Sequence, residues 1–419
     1  MPVAAQALGG VRSYGLAFSI FLTLYLFGVV VSGTWGDARG AAGPVRAGMV
    51  SFAIGLLICG LAGSFPVLLV GRAVSGAGGG LLVVSMYLVV ASVYPSELQP
   101  RVFSYVSAGW VLPSILGPAL AGWLAEHVGW RSVFLLVPPL VGVLALILLP
   151  QLRRQVVHGG QPRLDRARMV RGTALAVAVS VLQWGLQLFG RDSGSARWGG
   201  LVLVLASGLV TVALLPRLLP AGALRLARGL PTVVILRGMY AAAFFGAETF
   251  VPLMLVRERG LSPALAGLVL TGGAVGWAAG AWLQSRAWMP LPRHLLLGVG
   301  GLLVGVSVWG MTPLTRAWVP TLFAVLVWAV GGLGMGMAMA STSVLVLRLS
   351  PAGQAGRNSA SLQVSDALGS VLGIGGAGAV FAALHDPAGS DGEVFRLIWL
   401  ALGVVGMLSF LVSFRARVT

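Results

Sequence analysis

The sequence predicts an all-α integral membrane protein, and three observations carry that reading. Hydrophobic residues make up 57% of the 419 and charged residues 9%, against roughly a quarter charged in a soluble domain. That is too little charge to cover a water-facing surface. The apolar residues fall in runs of about 18–30, each long enough to cross a hydrocarbon core of about 30 Å as a helix. Almost every charge sits in the short stretches between runs. Lipid offers the backbone no hydrogen-bond partners, so runs of this length must pair their own N–H and C=O groups as helices, not strands.

Thirteen runs read as spans. The first five are Tyr14 to Trp35, Ala47 to Ala62, Phe65 to Tyr94, Phe103 to Ala125 and Val133 to Pro150. Two central spans follow, Gly172 to Gly190 and Gly199 to Leu215. The last six are Leu230 to Val256, Ala264 to Leu283, Leu295 to Met311, Trp318 to Leu347, Ser359 to Ala383 and Leu397 to Phe414. The division expected is an N-terminal bundle over residues 1–151, an Arg-rich linker over 152–171, two further helices with their following loop over 172–228, and a C-terminal six-helix bundle over 229–419.

The formal charge of +17 suggests a nucleic-acid binder at first sight. The basic residues are all arginine and are dispersed over the loops, which is what membrane topology requires and what a nucleic-acid patch is not. Of the 28, Arg72 and Arg237 lie within spans; eighteen of the rest fall on one side of the membrane and eight on the other. The richer side is expected to be cytoplasmic, and the C-terminus lies on it. The first apolar run leads directly into further spans, so it reads as a span and not a cleaved signal. Cys59 is the single cysteine, so no internal disulfide can form. The histidines at 127, 158, 294 and 385 lie in loops or at span ends without metal-ligand spacing. No metal, cofactor or enzymatic chemistry is therefore expected.

A short pattern recurs after two spans: Gly33-x3-Asp37-x-Arg39 and Gly280-x3-Gln284-x-Arg286. It follows the first of five helices in one half and the second of six in the other. The offset implies that one helix is missing from the start of the chain. Such a loss would expose small, polar helix faces to lipid, including Ser19 and Thr23.

The residues around these features resemble the major facilitator superfamily. GTWGDARGAAGPVR, with Gly33, Asp37 and Gly40 in place, is similar to that family's loop between its second and third helices. Arg39 stands one place late for the loop's basic residue, and Ala41 and Ala42 replace the usual basic pair. VGRAVSGAGGG looks like the fourth-helix motif, with Arg72 as the intramembrane cation. WVLPSILGPALAGWLAEHVGWRSVF is similar to the fifth-helix antiporter signature and the element after it. There Gly117, Pro118, Gly122, Trp130, Arg131 and Phe134 match, while Pro113, Ala121 and Ser132 depart. The central pair of helices looks like that of the fourteen-helix drug:H⁺ antiporter branch. The resemblance implies two helical bundles, of five and six helices here, joined by two extra helices. It also makes the first loop a conformational gate, with Asp37 accepting from a helix N-terminus and an arginine such as Arg39 or Arg46 facing it.

Four ionisable residues fall well inside spans: Arg72, Arg237, Glu248 and Asp366. Each costs about 2.5–3.5 kcal/mol at a helix centre on insertion scales, so each should face protein or water. Arg72 and Glu248 lie at similar depth, which allows a pair. Asp366 lies near mid-membrane with Gln363 three residues before it. Arg237 begins only about two turns into its helix, where its stem can snorkel to the headgroups. A carboxyl in a low-dielectric cavity holds its proton more tightly, because burial disfavours the charged form. Glu248, Asp366 and Arg72 are thus the candidates for proton coupling, and Trp110, Tyr240, Phe244, Phe245, Trp277 and Trp328 are the aromatics deep enough to line a cavity. The function expected is proton-driven export of small amphipathic compounds by alternating access. The partners expected are the substrate, protons and the bilayer, and the expected state is a monomer in the plasma membrane with its C-terminus in the cytoplasm. Two alternatives stand beside it: uptake or facilitated movement of a polar metabolite, and a non-transporting sensor or inactive remnant.

Overall fold

The computed structural model describes residues 1–93, 98, 102, 113, 116–153, 166–189, 194–286, 291–316, 318–351, 355–387 and 389–417. Trp110 and the middle of the Arg-rich linker lie outside these residues, and Asp37 is described by its backbone only. Every regular element among the described residues is helical. In order they are α1 (Pro2–Ala7), α2 (Tyr14–Arg39), α3 (Ala42–Gly60), α4 (Phe65–Val93) and α5 (residues 116–124). A π-helical turn over Ala125–Gly129 precedes α6 (Trp130–Leu135), α7 (Val137–Arg153), α8 (Arg166–Phe189) and α9 (Gly194–Leu218). Then come α10 (Leu230–Arg259), α11 (Pro263–Gln284), α12 (Arg293–Gly310), α13 (Thr321–Leu349), α14 (Ala355–Leu384) and α15 (Gly392–Ser413).

Eleven described helical stretches are long and apolar enough to cross a membrane, one of them running from Leu116 to Gln151. Gly129, at φ 109°, breaks that stretch in two, as only glycine readily can. A shorter apolar helix covers Val170–Leu186. Leucines such as Leu146 and Leu209 point outward with no protein cover, as lipid-facing side chains do.

Helix ends differ from the sequence expectation at the first loop. α2 runs on to Arg39 and α3 starts at Ala42, so only Gly40 and Ala41 lie between them. Gly40, at φ 79°, stops α2 while its N–H bonds the Gly36 carbonyl at 2.8 Å. Pro44 fits in the first turn of α3, where its missing N–H has no helical partner to lose. The motif that reads as a loop is therefore largely the end of one helix and the start of the next. Arg39 and Arg46 are exposed, and Arg46 Nε reaches only its own helix, at Ala42 O, 3.4 Å away. The corresponding bend after α11 does close. Gln284 Oε1 accepts from Arg293 Nη1, joining the end of α11 to the start of α12.

The helices form two compact units. One comprises Val3–Pro113 and Leu124–Val181, the other Ser114–Trp123 and Leu182–Thr419. In the first, α4 packs between α2 and α3 through the glycines that follow Arg72. A Cβ on Gly80 would fall 2.0 Å from Tyr25 O, and one on Gly78 2.4 Å from Phe52 N. Small residues permit such backbone contact, which carries helix association where no hydrophobic force acts. The lipid exposure expected for Ser19 and Thr23 is absent: both are buried. Their hydroxyls bond back to carbonyls one turn earlier, Thr23 Oγ1 to Ser19 O at 2.8 Å and Ser19 Oγ to Leu16 O at 3.4 Å, so burial leaves no donor unmet. In the second unit α11 and α13 meet the same way. Cβ atoms on Gly276 and Gly332 would fall 2.0 Å from Ala329 O and 1.9 Å from Gly273 O.

Candidate functional site

The charged site of the second unit follows from a glycine contact between α10 and α14. A Cβ on Gly369 would lie 2.0 Å from Gly238 O, and one on Gly373 2.2 Å from Ala242 O. Backbones this close bring the residues beside those glycines together. Arg237 Nε donates to Asp366 Oδ1 at 2.7 Å, and Nη1 donates to Met339 O at 3.1 Å and Thr342 Oγ1 at 3.3 Å. The two side chains are only 13% and 22% exposed. Arg237 therefore does not snorkel; it is held inside the bundle by a carboxylate 129 positions away. The correction has a plain energetic reason: two opposite charges buried together offset much of the cost each would carry alone. Gln363, on the same helix, is exposed and outside this network.

Glu248 lies about 16 Å further along α10 and on nearly the same face, eleven residues being close to three full turns. It is partly buried, with no hydrogen-bond or ion-pair partner among the described residues. Phe245, one turn before it, packs against Trp277 of α11 with ring centroids 5.9 Å apart. Both rings are partly exposed. The other expected cavity aromatics are core residues instead. Phe244 stacks on Trp328 at 4.8 Å, and Tyr240 donates its hydroxyl to Leu297 O at 2.9 Å. All three are buried, because the faces of α10 and α13 that carry them meet other helices of the unit.

Arg72 finds its partners within the first unit and not at Glu248. Its Nε donates to Ala17 O at 2.9 Å, and the guanidinium lies 4.2 Å from the Phe21 ring centroid, a cation–π distance. Of the fifth-helix motif, Gly122 and Pro118 make a helix crossing with α11. A Cβ on Gly122 would meet Pro263 O at 2.4 Å, and one on Gly267 would meet Pro118 O at 2.3 Å. Gly117 and Gly33 face open space.

A second polar cluster escaped sequence reasoning. At the end of the unit where α10 stops and α15 begins, Asp391 is fully buried. It pairs with Arg257 Nε at 3.0 Å and His385 Nδ1 at 2.8 Å, while its own N–H donates to Glu258 Oε1 at 2.9 Å. The run Arg257-Glu258-Arg259 at a helix end was its only sequence signal.

These features define a polytopic helical membrane protein with charged and aromatic groups gathered inside its C-terminal helices. The model of the Major Facilitator Superfamily matches residues 1–373, and the chain belongs to that superfamily. It is 24% identical over 336 residues to "Multidrug resistance protein 3" of Bacillus subtilis, a match covering 77% of this chain and 64% of that protein. The chain thus spans less than two thirds of that relative. It is 25% identical over 435 aligned positions to the "Probable multidrug-efflux transporter Rv1634" of Mycobacterium tuberculosis, covering 99% of this chain and 89% of the other. Its fold is similar to a crystal structure of a POT family transporter in complex with 5-aminolevulinic acid, with a TM-score of 0.68 and 13% identity over 98% of this chain and 91% of that one.

Proposed function

We propose that the protein is a secondary active transporter that exports small amphipathic cations in exchange for protons. The single observation that carries this reading is the Glu248 carboxylate, without a partner among the described residues, one turn from the partly exposed Phe245–Trp277 pair. A carboxylate beside aromatic faces suits a lipophilic cation, which gains from both the charge and the ring quadrupoles. It suits a proton equally, so proton and substrate can compete for the same group as exposure alternates. Arg237–Asp366 is the second coupling candidate: a carboxylate that accepts a proton releases its arginine. Gly33, Asp37, Arg39, Gly40 and Arg46 form the gate in this scheme, and Arg72 is a fixed cation of the first unit. The names of the efflux relatives point the same way.

Ethidium accumulation in expressing cells tests the coupling. Glu248→Gln is expected to abolish protonophore-sensitive export while the protein still reaches the membrane at normal levels. Uphill export by Glu248→Gln/Asp366→Asn with an unchanged protonophore response would rule the assignment out.

In the same proposal the protein works as a monomer in the plasma membrane with a cytoplasmic C-terminus, since eighteen loop arginines oppose eight. A fluorescent reporter that matures only in the cytoplasm is expected to glow when fused after Thr419. Activity of a periplasm-specific alkaline phosphatase at that position would reverse the orientation.

A further inference from the structure

Within the second unit, the start of α12, the end of α13 and the C-terminal segment border an open cavity of about 400 Å³. Its polar lining is Arg293, His294, Arg348 and Arg417, its apolar lining includes Leu291 and Leu345, and none of the described residues that line it is a carboxylate. Three arginines from three separate segments thus line it with no counter-charge among the described residues, Arg348 and Arg417 exposed and Arg293 partly buried. Arg293 spends one donor on Gln284. Arg348, Arg417 and His294 have no hydrogen-bond or ion-pair partner among the described residues. The first residues of α12 line the cavity, and this helix start has no side-chain cap. Arg348 in the last turn of α13 is accounted for by that helix's dipole and Arg417 by the arginine bias of one membrane side; neither rule places them beside Arg293 and His294.

We propose that this cavity binds a phosphate group. Arginine forks match phosphate oxygens in a bidentate way, and an uncapped helix start adds a partial positive charge and free donors. The phosphate can belong to an anionic lipid headgroup, with the leucines against the acyl chains, or to a free anion. Basic pockets between membrane helices are suited to the first.

Native mass spectrometry of the full chain in detergent, offered equal phosphatidylglycerol and phosphatidylcholine, separates the sources. The wild type is expected to retain phosphatidylglycerol about tenfold over phosphatidylcholine, and Arg348→Gln/Arg417→Gln to lose that preference, as for one strong charged contact. Arg348→Lys/Arg417→Lys keeps the charge and is expected to keep part of the preference, which separates loss of binding from loss of fold. If inorganic phosphate alone raises the melting temperature and the lipids bind equally, the source is a free anion. No preference between lipids together with no response to phosphate overturns the proposal. So does a Gln double variant that retains phosphatidylglycerol as the wild type does.

Discussion

Asp366→Asn is expected to destabilise the protein by about 3–5 kcal/mol, the usual cost of removing one member of a buried ion pair. Arg237 would keep only Met339 O and the Thr342 hydroxyl as partners, and its charge would stay in a site of low polarity. The loss arises from the stranded charge more than from the missing bond. Adding Arg237→Met to Asp366→Asn should therefore recover at least half of the stability. Denaturant titrations of the four proteins in one detergent form a double-mutant cycle. Additive effects of the two substitutions would mean that the pair is not an energetic unit. Transport is expected to fail in all three variants, including the rescued one, if the pair also serves coupling.

Glycine substitutions should divide by sign according to place. Gly332→Ala is expected to cost roughly 3 kcal/mol, because the new methyl would fall 1.9 Å from the Gly273 carbonyl oxygen and two backbones must separate. Gly33→Ala, within α2 and facing open space, is expected to stabilise by up to about 1 kcal/mol through helix propensity. Thermal unfolding in detergent reads both. Equal losses at the two positions would show that glycine matters here for flexibility and not for close approach.

Those two outcomes also mark where sequence reading stops. Gly33 stands in the motif that most clearly carries the family resemblance, whereas Gly332 lies in a glycine-rich run open to an ordinary packing reading. Only contact geometry shows that Gly332 has no room for a methyl and Gly33 has. The aromatics divide in the same manner. Depth along a helix made Tyr240, Phe244, Phe245, Trp277 and Trp328 equivalent, and the direction of each side chain separated them into three core residues and one partly exposed pair.

By itself the sequence determined the membrane-spanning helices, the family and the positions of the intramembrane charges. Each of these is local: a span must satisfy its own backbone in lipid, and a buried charge is conspicuous wherever it occurs. Tertiary structure alone decided which charge meets which. Arg237 joins Asp366 because Gly238 and Gly369 let α10 and α14 touch, while Arg72 turns to Ala17 and Phe21 within its own unit. Glu248 is left without a partner among the described residues. Partner choice depends on helix rotation and on close contacts between segments 55 and 129 residues apart, and hydropathy contains no record of either.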